Sequence, residues 1–172
     1  MQKRTFFRLP VFLITALLLS ACAFHLREQM AMPFKTLYLD AENPNTPFIS
    51  DLRRSLDANH VQLVSSASEA DVVLKIVFES ADKQILTLGS NGRVNEFRLS
   101  YRISLRAYDL KQQDWIPAEE MEMHRDFSYD DTIVLAKEAE AALLYKSMRS
   151  DMVQQIMRRL SRAKPQPLLQ PQ

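Results

Sequence analysis

The sequence predicts an α+β domain in which two helices pack on one face of a four-stranded, mostly antiparallel sheet. Three observations lead there: a strictly alternating stretch, a glycine pair just ahead of it, and a long run without glycine or proline. In the alternating stretch, Phe97, Leu99, Tyr101, Ile103, Leu105 and Ala107 are interleaved with Arg98, Ser100, Arg102, Ser104 and Arg106. That period of two gives a strand one apolar and one polar face. The two glycines of the chain, Gly89 and Gly92, flank Ser90-Asn91, and an Asn-Gly step between strands predicts a type I′ hairpin turn. From Thr132 to about Ala163 the residues Tyr145, Met148, Met152, Ile156 and Leu160 recur at intervals of three and four, which predicts an amphipathic helix of roughly 45 Å.

The remaining elements follow in order. Thr36 to Asp40 reads as a first strand, and the polar stretch Ala41 to Asn45 turns the chain. Thr46 is a good N-cap, Pro47 suits the first helical position, and Phe48, Ile49, Leu52 and Leu56 share one face of a helix ending near Asn59. Val61 to Val64 is a short strand or an extended link. Val72 to Phe78 is apolar on both faces except at Lys75, as in an internal strand, and is expected to continue past a bulge to Leu88. A last strand runs from about Trp115 to Phe127, with Glu120, Glu122, His124 and Asp126 at its polar positions. If these share a face with the arginines, Arg102 lies opposite Glu120 or Glu122, and Arg98 lies near His124 or Asp126.

The first 21 residues stand apart. Lys3, Arg4 and Arg8 precede an apolar run from Leu9 to Leu19, followed by Ser20 and Ala21, the order of a secretory signal peptide. A run of eleven residues is too short to cross a bilayer, which takes roughly 20. Leu19-Ser20-Ala21-Cys22 resembles the bacterial lipobox, in which cleavage falls before a lipid-modified cysteine. Cys22 is the single cysteine of the chain, so no internal disulfide can form, and acylation explains a lone thiol in an oxidising compartment. The reading is therefore a signal peptide over 1–21, one domain over 22–163 and a disordered Pro-rich tail over 164–172. No cofactor is expected beyond the covalent N-acyl and S-diacylglycerol lipid at Cys22. Ala23 is not the aspartate that retains enteric lipoproteins in the inner membrane, so the outer membrane is the expected destination.

Residues 1–21 hold three of the 22 basic side chains and none of the 21 acidic ones, leaving a formal charge of −2 on the rest. A nearly neutral chain has no global field for nucleic acid, and any anion site must be local. His25, His60 and His124 lack metal-type spacing, no glycine loop is built for phosphate, and no thiol is free as a nucleophile. Enzymatic function is not expected. Met148, Met152 and Met157 read as core, and Glu119, Glu120 and Glu122 as a solvated strand face opposite arginines.

Cys22-Ala23-Phe24-His25-Leu26-Arg27 resembles the Cys-Gly-Phe-His-Leu-Arg start of the LptE family of LPS-assembly lipoproteins. Leu39-Asp40 with Asn43-Pro44-Asn45 ahead of a helix, the Asn91-Gly92 hairpin, the alternating strand, and Leu135-Ala136-Lys137 opening the last helix agree with it in order. The chain departs from the family at Ala23 and Glu28, where glycines are usual, and at Ser90, where a basic residue usually precedes the Asn-Gly step. The resemblance implies a non-enzymatic partner of the large outer-membrane barrel LptD. Such a protein plugs the barrel lumen, supports barrel assembly and assists insertion of lipopolysaccharide into the outer leaflet. It also implies that Lys137, with Arg93 standing in for the missing basic residue at the hairpin, meets lipopolysaccharide phosphates. The residues alone leave a second role open, that of a free periplasm-facing lipoprotein serving as accessory subunit or scaffold of an envelope transport system.

Overall fold

The structure, a computed structural model, describes residues 30–166. Strand β1 (Thr36–Ala41) leads to helix α1 (Pro47–Ala58), a two-residue strand β2 (Gln62–Leu63) and a 3₁₀ turn (Ala67–Glu69). Three long strands follow, β3 (Val72–Leu88), β4 (Val94–Tyr108) and β5 (Asp114–Ser128). A second 3₁₀ turn (Asp131–Ile133) opens the terminal helix α2 (Val134–Arg162). The sheet order is β2-β1-β3-β4-β5, parallel on either side of β1 and antiparallel from β3 onward. The predicted class holds, and the short link at Val61–Val64 supplies a fifth, parallel strand.

Local chemistry accounts for the elements. Thr46 caps α1, its hydroxyl accepting the Ile49 N–H at 3.2 Å, and Pro47 occupies the first turn, where its missing N–H costs nothing. The apolar face Phe48, Ile49, Leu52 and Leu56 is fully buried. Helix α2 buries Met148, Met152, Ile156, Met157 and Leu160 against it and against β4 and β5, so the methionines are core. Each such side chain removed from water contributes about 1.5–3 kcal/mol. Arg149 Nε donates to Asp51 Oδ2 at 2.9 Å and ties the two helices together.

Alternation along β4 places Leu99, Tyr101, Ile103, Leu105 and Ala107 under the helices. The expected bulge in β3 lies between Ile76 and Phe78, and a second irregularity follows Ile85. The hairpin at Gly89–Gly92 differs from the type I′ expectation. Gly92 N–H bonds to Gly89 O at 2.9 Å, Gly89 N–H bonds to Arg93 O at 2.7 Å, and Gly92 alone takes a positive φ, 76°. This is a type I turn closed by a left-handed residue, which a three-residue loop adopts, so Asn91 needs no positive φ. The β4–β5 hairpin repeats the pattern, with Gln112 at φ 61° and Gln112 N–H on Asp109 O at 2.9 Å.

Candidate functional site

Two surfaces concentrate charge. The first is the outer face of the sheet, away from the helices. Register pairs Arg98 with Asp126 and Arg102 with Glu122, in each case one of the two partners the alternation allowed. The Arg98 guanidinium donates to both oxygens of Asp126 at 2.8 and 2.9 Å, and this contact holds the Asp126 carboxyl below its usual range. Arg102 lies between Glu120 and Glu122 at 3.6 and 3.5 Å, and Arg106 reaches Asp114 at 2.6 Å while stacking over Tyr108. Ser100, 5 % exposed, bonds to His124 Nδ1 at 3.0 Å beneath these longer side chains. Across β4 and β5 the face is polar and its charges are paired, so this part of it can lie against another polar surface without stranding a charge.

The second is the pole formed by the hairpin tip and the start of α2. Arg93 donates to Asp131 at 3.1 Å, and Lys137 Nζ donates to Ser128 Oγ at 3.2 Å and Glu140 Oε2 at 2.8 Å. Asp130 links them. Its carboxyl is lowered first by the Thr132 hydroxyl and N–H, with smaller contributions from Lys137 and Arg93. The structure thus brings Lys137 and Arg93 to one end of the domain, each already engaged by a carboxylate. Lys137 is only 14 % exposed, whereas Arg93 is 64 % exposed.

The sequence reading missed what surrounds them. Asp130, Asp131 and Glu140 compensate the cations, and Phe97, Phe127 and Tyr129 stack into an aromatic cluster beside them, with Lys83 over the Phe97 ring. Ile133, Val134, Leu135 and Leu88 are exposed at this end. A signal was present in Asp130-Asp131 directly before a helix, where carboxylates favour the positive end of the helix dipole.

The opposite pole holds Met30, whose N–H donates to Asn59 Oδ1 at 2.8 Å, and Phe34, which meets Trp115 edge-on at 5.8 Å. Cys22 lies outside the described residues, as does the tail beyond Gln166. Gln166 N–H itself bonds to Asp114 O at 2.7 Å. Among the described residues no group of three or more metal-binding side chains occurs, and no helix is long and apolar enough to cross a membrane.

Two helices laid over a mostly antiparallel sheet define a lipoprotein-type α+β domain. Lipoprotein B from Nitrosomonas europaea, solved by NMR, is 35 % identical, with a TM-score of 0.69 over 81 % of this chain and 90 % of that one. Rare lipoprotein B from Shewanella oneidensis is 26 % identical, with a TM-score of 0.65 over 72 % and 92 %. The family model for LptE, lipopolysaccharide-assembly, matches residues 34–160, and the chain belongs to that family. The LPS-assembly lipoprotein LptE of Pectobacterium atrosepticum is 27 % identical over 150 residues, 86 % of this chain and 80 % of its own length. Its counterpart from Yersinia pestis is 28 % identical over 86 % and 72 %.

Proposed function

We propose that the chain is a non-catalytic outer-membrane lipoprotein, anchored through acylated Cys22, that plugs the lumen of an LptD-type barrel. In this role it supports barrel assembly and assists lipopolysaccharide insertion into the outer leaflet. The observation that carries the reading is the outer sheet face, where arginine and carboxylate rows are paired side by side. Such pairs add only about 0.2–1 kcal/mol each to stability, but they suit a polar, water-lined barrel interior. A domain of this size has a radius of gyration near 15 Å, so only a large barrel encloses it. Residues 1–21 act as the signal peptide, and Lys137 with Arg93 forms the lipopolysaccharide contact at the far pole.

Gentle detergent extraction followed by mass analysis tests the plug directly. A stoichiometric complex with one large, heat-modifiable barrel is expected, and recovery of the lipoprotein alone refutes it. Photo-crosslinkers at Ser104 and Glu120, on the outer face, should capture the same barrel. In the Cys22→Ala variant the precursor should remain uncleaved and unacylated, and normal lipid labelling of that variant would exclude Cys22 as the anchor.

A further inference from the structure

Beyond the two-residue β2, the sheet leaves two long stretches of edge open, and they are built differently. The β5 edge carries Pro117 and charged side chains at most positions from Glu119 to Asp126, the usual guards against strand addition. The β3 edge is open from Val77 onward, because β1 pairs only as far as Ala41 opposite Ile76. It contains no proline, and Val77, Phe78, Ile85, Leu86 and Leu88 along it are 37–59 % exposed. Lys83, the one cation that could guard it, is drawn inward to Glu138 at 2.8 Å and over the Phe97 ring.

Between the two irregularities, Phe78–Ile85 keeps unbroken register with β4 for eight residues. A cleft of about 570 Å³ opens where β1 departs, lined by Ala41, Thr46, Ile76, Val77 and Phe78. One carbonyl of the row, that of Asp82, accepts the Tyr145 hydroxyl at 2.7 Å, and among the described residues no strand pairs with the row on this side. Unpaired backbone donors and acceptors at strand spacing are best satisfied by another extended backbone. The Asp82 side chain lies on the outer face, opposite Ser100 across β4, and makes no ion pair among the described residues; neither does Glu42 beside the cleft.

We propose that the β3 edge at Phe78–Ile85 takes up an extended strand from a partner polypeptide, one with apolar side chains beside Ala81 and Ile85 and a basic residue opposite Asp82. Such a strand extends the sheet past the end of β1 and covers the apolar row. The inference deepens the plug reading and rests on it only for the partner's identity.

Photo-crosslinkers at Ala81 and Gln84 in the full-length chain, expressed in cells that depend on it, test the proposal. The expected result is capture of one segment of one polypeptide, with mapped contact points advancing in steps of two residues. Asp82→Lys should lower that capture about tenfold with the thermal midpoint unchanged, since like charges facing each other across strands disfavour pairing. Capture of a second copy of this chain, of lipid, of scattered segments, or of nothing while the cells grow normally overturns it. If Ser104 and Glu120 capture the barrel and the edge captures nothing, the plug stands and the strand does not. If the edge captures one strand while Ser104 and Glu120 capture no barrel, the strand stands and the plug does not.

Discussion

Tyr101 donates its hydroxyl to Glu79 Oε1 at 2.6 Å, and the other oxygen of Glu79 accepts Thr46 Oγ1 at 2.8 Å. One carboxylate just past the β3 bulge thereby joins the middle of β4 to the cap of α1. Burial first, and the Glu79 contact second, push the Tyr101 hydroxyl far above its ordinary range. Tyr101→Phe removes the donor and leaves a partly buried carboxylate oxygen unpaired. It should cost about 1–2 kcal/mol in chemical denaturation. A loss below a few tenths would mean that Glu79 finds another donor.

Asp71 Oδ2 accepts the N–H groups of Lys35 and Thr36, each at 2.9 Å, and the Asp71 N–H donates to Thr36 Oγ1 at 2.8 Å. These backbone contacts lower its pKa from the ordinary 3.8. A depressed folded value means that the stabilisation is complete above the unfolded value and is lost as pH falls through the folded one. The site is exposed, so Asp71→Asn should cost about 0.5–1 kcal/mol at pH 7. The difference from the parent should shrink on acidification below the ordinary carboxylate range. A gap that stays constant with pH would mean that the charge plays no part.

Gln112 holds a left-handed conformation, which a side chain resists. Gln112→Gly should stabilise by about 0.5–1 kcal/mol, read as a raised thermal midpoint. The same change made at Lys111, which has no positive φ, should not stabilise.

At the far pole, reversing Arg93 and Lys137 together should weaken lipopolysaccharide binding by the purified domain with little change in fold. The converse variant is the sharper one. Asp131→Asn with Glu140→Gln releases both cations from their internal partners, so binding should tighten and its salt dependence should steepen. Unchanged affinity in both variants would place the contact elsewhere.

Elements fixed by short-range chemistry were legible. Thr46-Pro47 announced α1, the alternation from Phe97 to Ala107 announced β4, and facing polar rows narrowed Arg98 and Arg102 to two candidate partners each, of which the register selects Asp126 and Glu122. Features that depend on distant chain segments meeting were not. The two residues of β2 form a strand only because β1 lies beside them. The hairpin turn type follows from loop length, which the Asn-Gly step alone does not specify. Lys137 reads as a plain exposed helix lysine, yet Ser128, at the end of the preceding strand, accepts a hydrogen bond from its ammonium. Its neutralisation by Glu140, three residues on, could have been read from helix spacing.

Helix α2 also sets a length. Its 29 residues extend about 44 Å, close to the 40–45 Å of a bilayer with its headgroups. Met30 lines the groove beside the C-terminal half of this helix, and Arg93 meets Asp131 just before its first turn. The helix therefore sets how far the tip at Arg93 stands from the chain at Met30, and deleting two turns from α2 while shortening the sheet to match would draw the two closer by about 11 Å.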